Sequence, residues 1–312
     1  MIYTITLSPT IDYSLKSEYE LKTDFINRST KEAYEVGGKG INVSIMLNNL
    51  ATENVALGFV GGFTGNEIVN ILKHKNIVTD FVNIQGNSRT NVKINIKNQK
   101  ELIINATGPL ISDKNLNDLY TKIQYLVKDG DVVVIAGNIP SIMKQDIYVQ
   151  ILELIKQKKV LLIVDATKDL LISTLKYKPF LIKPNLEEIN EIFKSEIKNP
   201  ITQMEQVKLK ALELQKLGAQ NVVISFGGQG SLLLDKNQEF SYREAIKGKF
   251  VSSTGAGDSM VAGFISKYLQ TKNVKKSFIF GNYCGSATVF TTGIASSKEI
   301  DELIKKEGEV WE

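Results

Sequence analysis

Short apolar runs alternate along the chain with longer stretches in which apolar residues recur every three or four positions. The short runs predict strands at Ile2–Leu7, Ala56–Val60, Val132–Ala136, Val160–Val164, Phe180–Lys183, Val222–Ser225 and Ser231–Leu234. The longer stretches predict helices at Gly40–Leu50, Asn66–Lys75, Lys114–Lys128, Lys144–Gln157, Asn185–Lys194, Thr202–Leu217, Ala256–Leu269 and Lys275–Phe290. This alternation indicates βαβ units, whose right-handed crossovers place helices on both faces of a mostly parallel sheet.

Two regions interrupt the alternation, at about residues 10–35 and 89–107. In the second region, apolar and polar residues alternate over Thr90–Ile96, turn residues follow at Asn98-Gln99, and a further apolar run comes next. This pattern is typical of a hairpin. We therefore expect residues 1–312 to form one domain, from which these two segments project as a small β-sheet lid.

Composition is that of an ordinary globular protein, with 43% of the 312 residues apolar and 23% charged. Cys284 is the single cysteine, so no intrachain disulfide can form and a cytoplasmic location is expected. The apolar runs are too short for a membrane span. The net charge of +4 is spread along the chain without a basic block, which disfavours nucleic-acid binding.

The segment Ser252–Ser259 places glycines and small polar residues immediately before a predicted helix. At such a helix start, the N–H groups of Gly255, Ala256 and Gly257 can bind an anion, which the helix dipole also favours. Asp258 lies in the first turn, where an acidic residue is common because of the dipole alone. Beside an anion hole, the same carboxylate could instead act as a general base toward an attacking hydroxyl group.

A second glycine cluster, Gly37-Gly38-Lys39-Gly40, also precedes a predicted helix. One interpretation is a glycine-rich turn with a surface lysine. The other is a site for a phosphorylated polyol, in which Gly37 and Gly38 let hydroxyl groups approach the backbone. Lys39 would then supply a positive charge, and Asn42 would supply both a donor and an acceptor.

Other nucleotide-binding motifs are absent or incomplete. No segment has the G-x-x-x-x-G-K-[ST] spacing of a P-loop. Gly255 and Gly257 begin a dinucleotide fingerprint, but Met260 occupies the position of its third glycine, and the segment lies late in the chain. A nicotinamide-dependent dehydrogenase is therefore disfavoured.

GGKGINV from residue 37 and TGAGDSM from residue 254 together resemble the paired signatures of the PfkB (ribokinase-like) carbohydrate kinases. Weaker matches to this family follow in order at Ser8–Asp12, Ser88–Ile94, Ala136–Pro140, Lys183–Glu188 and Ser225–Gly230. The resemblance covers nearly the whole chain. It implies a ribokinase-like three-layer α/β/α sandwich, with a central mostly parallel sheet and a small β-sheet lid.

On the sugar side, the resemblance implies that Asp12 binds hydroxyl groups and that Arg89 binds the substrate's phosphate. Asn138 would line the same site, although it and Ser8 differ from the residues that the family often has there. Taken alone, Asp12 could equally cap a turn. Arg89 could be an ordinary solvated surface charge.

On the nucleotide side, the resemblance implies that ATP and Mg²⁺ are required. Asn185 and Glu188 would hold Mg²⁺ through water, although their spacing is also that of a capping box at a helix start. The glycines after Ser225 could likewise form a plain hairpin turn. The residues implied to contact the nucleotide are Lys183, Asn185, Ser225, Gly227, Gly228, Gly230 and Asn282.

Within the family, the Ala56–Gly65 and Cys284–Thr288 segments are similar to the branch that phosphorylates ketohexose phosphates. The expected substrate is fructose 1-phosphate, which would give the 1,6-bisphosphate. Tagatose 6-phosphate and fructose 6-phosphate are the alternatives, and a non-catalytic sugar-phosphate sensor is the alternative from another class. An uncovered apolar face on the lid would favour a homodimer formed through the lid.

Overall fold

A central sheet of ten strands and a smaller sheet of four strands organise the described residues of this computed structural model, which are 1–97, 101–139 and 143–308. Numbered along the chain, the strands are β1 Ile2–Thr6, β2 Thr10–Ser17, β3 Lys31–Gly37, β4 Val55–Gly61, β5 Val78–Thr79, β6 Val82–Ile84, β7 Arg89–Ile96, β8 Leu102–Asn105, β9 Val132–Ala136, β10 Leu161–Asp165, β11 Leu181–Ile182, β12 Asn221–Ser225, β13 Ser231–Leu234 and β14 Phe240–Arg243. The helices are α1 Lys39–Asn49, α2 Gly62–His74, α3 Asp113–Leu126, α4 Ile147–Ile155, α5 Lys168–Thr174, α6 Leu186–Phe193, α7 Met204–Leu217, α8 Ala256–Thr271, α9 Val274–Phe290 and α10 Ser297–Glu307.

The central sheet has the strand order β14-β13-β12-β11-β10-β9-β1-β4-β5, and β6 also pairs with β4. Adjacent strands in this sheet are parallel, except for the pairs β12–β13 and β13–β14, which are antiparallel. Strands at its centre are buried on both faces. In β9, Val133 and Ile135 join the core on one side, whereas Val132 and Val134 join the core on the other.

Two layers of helices cover this sheet. Side chains from α3 to α7 pack into one core, and side chains from α1, α8, α9 and α10 pack into the other. Helix α2 packs with α1 in a third apolar cluster, which also contains Ile11 and Val36 from the base of the smaller sheet. The architecture is the expected three-layer α/β/α sandwich.

The smaller sheet has the order β3-β2-β7-β8 and contains both segments that interrupt the alternation in the sequence. Strand β2 pairs antiparallel with β3 and parallel with β7, and β7 pairs antiparallel with β8. One face is polar and carries Asp12, Asn91 and Lys93. The opposite face is apolar, and Tyr13 stacks on Tyr34 there with ring centroids 4.4 Å apart. We call this sheet the lid.

Some boundaries differ from the sequence-based predictions. Helix α2 begins at Gly62 rather than Asn66, because β4 leads directly into it, and α4 begins at Ile147 rather than Lys144. Asp12 lies within β2 rather than in a turn, and the lid segment that includes it extends to Gly37. The sequence pattern does not predict helices α5 and α10 or strands β5, β6 and β14. The turn at Asn98-Gln99 and the residue Pro140 lie outside the described residues.

Candidate active site

The candidate site lies at the edge where the parallel strands of the central sheet end. Asp165 is the last residue of β10, Ser225 is the last residue of β12, and Lys183 directly follows β11. Helices α1 and α8 begin at the same edge. In open α/β sheets, ligands bind outside the carboxyl ends of the strands.

Asp258 lies in the first turn of α8 and is only 6% exposed. Gly255 precedes the helix with a φ of +78°, a conformation that glycine adopts without strain. The Asn42 side-chain amide donates a hydrogen bond of 2.7 Å to Asp258 Oδ2. Burial and then the charge of Asp165 raise the pKa of Asp258 to about 6. The carboxyl group can therefore both release and accept a proton near neutral pH.

The predicted anion hole lies at the start of α8, next to an ammonium group. A Cβ atom on Gly257 would lie 2.9 Å from Lys183 Nζ, so a side chain there would force the ammonium group to shift. The Ala256 N–H makes a long hydrogen bond of 3.3 Å to the Ser253 carbonyl. The other N–H groups of the first turn have no partner within the helix. Positive charge and backbone donors thus converge beside Asp258.

Asp165 connects the two lysines of the site, although none of the sequence motifs that point to the site includes this residue. Its Oδ1 lies 3.2 Å from Lys39 Nζ and 3.7 Å from Lys183 Nζ, while its Oδ2 is buried without a hydrogen-bond partner. Burial alone would raise the pKa of Asp165, but the charges of Lys183 and Lys39 hold it below its usual value. Asp165 is therefore ionised at neutral pH and balances two ammonium groups.

Asn185 and Glu188 form a capping box, which is one of the two interpretations that their spacing in the sequence allows. Asn185 Oδ1 accepts from the Glu188 N–H at 2.8 Å, and Glu188 Oε2 accepts from the Asn185 N–H at 2.9 Å. Glu188 Oε1 remains directed toward Lys39 Nζ at 3.7 Å. Burial alone would lower the pKa of Lys39, but the surrounding carboxylates raise it above its usual value. The capping role thus coexists with a place in the charged site.

A second cluster lies on the polar face of the lid. Asp12 accepts hydrogen bonds from the Asn91 amide at 2.9 Å and from the Lys93 ammonium at 2.8 Å. Arg89 is half-buried and donates to the Ser8 carbonyl at 3.2 Å and to Asn91 Oδ1 at 3.4 Å. Burial lowers the pKa of Arg89, and the charge of Asp12 opposes this effect. The cluster brings two cations and one carboxylate together at the base of the lid.

Gly37 and Gly38 connect the lid cluster to the charged site. A Cβ atom on Gly37 would lie 3.0 Å from Asp12 Oδ2, and Gly38 has a φ of +114° at the N-terminus of α1. Lys39 and Asn42 then follow in the first turn of that helix. One short glycine segment therefore leads from Asp12 to the residues that contact Asp165 and Asp258.

The sequence matches the family described as "pfkB family carbohydrate kinase" over residues 5–301. The chain belongs to this family. It is 38% identical to the 1-phosphofructokinase of Bacillus subtilis and 37% identical to the D-tagatose-1-phosphate kinase of Bacillus licheniformis, in each case over 97% of both chains. It is also similar to phosphofructokinase-2 of Escherichia coli solved with substrates and products, at 26% identity and a TM-score of 0.90 over 99% of both chains.

These comparisons confirm the sequence-based resemblance to the PfkB family and the ribokinase-like fold class. They also confirm that the protein is a sugar kinase, among whose relatives are enzymes named for ketohexose phosphates. Over the described residues of this kinase, no helix combines the length and apolar character that crossing a bilayer requires.

The other candidate site residues predicted from the sequence are three glycines in a turn, one exposed asparagine and one buried asparagine. Gly227 and Gly228 lie in the turn between β12 and β13, with open space where side chains would be, and Gly230 ends the turn with a φ of +95°. Asn138 is exposed and accepts a hydrogen bond from the Thr167 hydroxyl group. Asn282 is buried; it accepts from Ser231 Oγ and donates to the Phe278 carbonyl, so its side chain has structural partners.

Proposed function

We propose that this kinase transfers the γ-phosphoryl group of ATP to the C6 hydroxyl group of a ketohexose 1-phosphate, with fructose 1-phosphate as the preferred substrate. The observation that carries the proposal is Asp258, a buried carboxylate that Asn42 orients beside a helix N-terminus and Lys183. A glycine segment joins this group to a cationic cluster in the lid. The names of the two relatives above, which specify fructose and tagatose 1-phosphates, support the choice of substrate.

In this proposal, the substrate lies across both clusters. Asp12, Gly38 and Asn42 bind hydroxyl groups of the sugar, and Asn138 and Gly37 line the same space. Arg89 binds the phosphate through its planar guanidinium, which suits two-point contact with phosphate oxygens, and Lys93 adds a second charge. Asp258 takes the proton from the attacking hydroxyl group. Charge on the moving phosphoryl group is stabilised by Lys183 and by the N–H groups of Gly255, Ala256 and Gly257.

The nucleotide in this proposal lies over the turn between β12 and β13, bordered by Ser225 and the open backbone of Gly227 and Gly228. The oxygen atoms near its phosphates suit Mg²⁺. Asp165 Oδ2 has no hydrogen-bond partner, and Glu188 Oε1 is not used by the capping box. Mg²⁺ characteristically takes one or two carboxylates together with waters and phosphate oxygens. When bound, the ion would neutralise charge on the phosphates of ATP.

A coupled assay of ADP release tests this proposal by comparing kcat/KM for fructose 1-phosphate, tagatose 1-phosphate, tagatose 6-phosphate, fructose 6-phosphate and fructose. We expect fructose 1-phosphate to give the highest value. Fructose and tagatose differ only at C4, so tagatose 1-phosphate should come second. A preference for either 6-phosphate would contradict the proposed position of the substrate phosphate, and inactivity with all five would favour a sugar-phosphate sensor.

We further propose that two chains associate through the apolar face of the lid. Tyr34, Leu102 and Ile104 lie on this face and are 59%, 46% and 56% exposed. Contiguous apolar surface of this kind is a common feature of interaction sites, and a two-fold axis would let each lid cover the other.

Light scattering should therefore give the wild-type protein about twice the monomer mass of 34.7 kDa. Ile104→Glu should yield the monomer mass, because a charge would be buried at the interface. Ile103→Glu is the matched control: Ile103 is also exposed but lies on the opposite face of β8, so this variant should remain dimeric. A monomeric wild-type protein would contradict the proposed dimer.

A further inference from the structure

Ser88, which directly precedes lid strand β7, is hydrogen-bonded to the last residue of β4 and to the first turn of α2. The Gly61 N–H donates to Ser88 Oγ at 3.0 Å, and the Ser88 N–H donates to the Gly61 carbonyl at 2.8 Å. The Thr64 hydroxyl group donates to the Ser88 carbonyl at 2.7 Å. Ser88 and Thr64 are only 4% and 6% exposed. Both the backbone and the side chain of Ser88 are therefore held by hydrogen bonds to β4 of the central sheet and to α2.

Asn87 extends this attachment at the N-terminus of α2. Its Oδ1 accepts a hydrogen bond of 3.3 Å from the Phe63 N–H, a donor that the helix itself leaves unpaired. Gly62 lies between these contacts with a φ of +61°, and a Cβ atom there would overlap with Asn87 Oδ1. The glycines of the Gly61–Gly65 segment thus allow the lid strand to approach the helix closely.

We propose that Ser88 is a positioning residue for Arg89, an inference that rests on the proposed function because it assumes that Arg89 binds the substrate phosphate. Arg89 is the next residue along the chain, so the contacts of Ser88 fix the point from which the guanidinium extends. Helix α2 is a rigid support, since Ile68 and Leu72 are fully buried on its inner face. The attachment therefore holds Arg89 in place at the base of the lid.

The test compares Ser88→Ala and Ser88→Thr with the wild-type enzyme. Ser88→Ala removes the acceptor of the Gly61 N–H and should raise KM for fructose 1-phosphate roughly five- to tenfold. Its kcat and its KM for ATP should stay close to the wild-type values, and kcat/KM for unphosphorylated fructose should not change. Ser88→Thr keeps the hydroxyl group and should restore KM.

Ser112→Ala is the matched control. Ser112 caps α3 by accepting from the Asn115 N–H, so this variant loses a helix cap but none of the contacts that Ser88 makes with Gly61 and Thr64. It should lower thermal stability without changing any KM. The positioning role would be overturned if Ser88→Ala lowered kcat/KM equally for phosphorylated and unphosphorylated sugars. It would also be overturned if the KM for fructose 1-phosphate did not change.

Hydrogen exchange of the backbone amides of β7 gives a second readout that needs no substrate. Exchange should accelerate in Ser88→Ala and remain at the wild-type rate in Ser88→Thr and Ser112→Ala. A wild-type enzyme without activity on fructose 1-phosphate would refute the proposed function, while faster exchange would still support the attachment of the strand. Equal exchange in all four proteins would overturn the inference itself.

Discussion

Asp258→Asn should lower kcat by a factor of about 10² to 10⁴, the usual contribution of a positioned general base. Asparagine has nearly the same shape and can still accept the hydrogen bond from Asn42, so binding of the sugar phosphate and of ATP should be kept. Steady-state and single-turnover kinetics measure the effect. Asp113→Asn is the matched control, because Asp113 also lies in the first turn of a helix but is exposed and remote. Turnover within tenfold of wild type would contradict the role of Asp258.

The pH dependence of both activity and stability should change in the same variant. The pKa of Asp258 in the free enzyme is raised to about 6, so wild-type kcat/KM should fall as the pH drops through this value, and Asp258→Asn should not show this fall. A raised folded-state pKa also means that the ionised carboxylate destabilises the native state above about pH 6. Asp258→Asn should therefore increase the free energy of unfolding at pH 8 by up to about 3 kcal/mol, and this gain should vanish below about pH 4.

Asp165→Asn should be the most destabilising single change in the site. It leaves Lys183, which is only 5% exposed, without its carboxylate partner, and it removes the closest partner of Lys39. Removing one partner from a buried ion pair typically costs about 3–5 kcal/mol. For a protein of this size, the melting temperature should fall by on the order of 10 °C. Thermal unfolding at pH 7.5 measures this shift.

Two comparisons make this prediction specific to the charge pair. The pKa of Asp165 is depressed in the folded state, so its stabilising effect is present above about pH 4 and is lost as the pH falls through the folded-state pKa. The difference in melting temperature should therefore shrink in acid. The double variant Asp165→Asn/Lys183→Met should be less destabilised than the sum of the single variants, since no unpaired ammonium remains. If the loss of stability in the double variant equals the sum of the losses in the two single variants, the proposed pairing of Asp165 with Lys183 is refuted.

The sequence alone predicts most of the central sheet because the relevant signals are local. Strands that are buried on both faces need continuous apolar runs, such as Val132–Ala136, and these runs are easily recognised. The glycine-rich starts of α1 and α8 are likewise recognisable as motifs. Helix α10 had a usable signal as well, because Ser296 and Glu299 have capping-box spacing and form that box. Helix α5, with only seven residues, is too short for its apolar period to be distinctive.

The contacts of the site are less predictable because they join distant parts of the chain. Asp165 ends an apolar run, and an acidic residue at the carboxyl end of a parallel strand is a signal that could have identified it. Its pairing with Lys39 and Lys183 depends on the order of the strands. Asn91 and Lys93 reach Asp12 only through the parallel register of β2 and β7, which no local pattern specifies.

The most direct test of the proposed reaction is ³¹P NMR of the purified enzyme with Mg²⁺-ATP and fructose 1-phosphate. We expect ATP to be replaced by ADP in step with a new phosphomonoester resonance, split by the two protons of C6, while the original C1 phosphate resonance persists. This result would identify the C6 hydroxyl group as the acceptor. Release of inorganic phosphate alone, or a new phosphate at any other carbon, would contradict the proposed function.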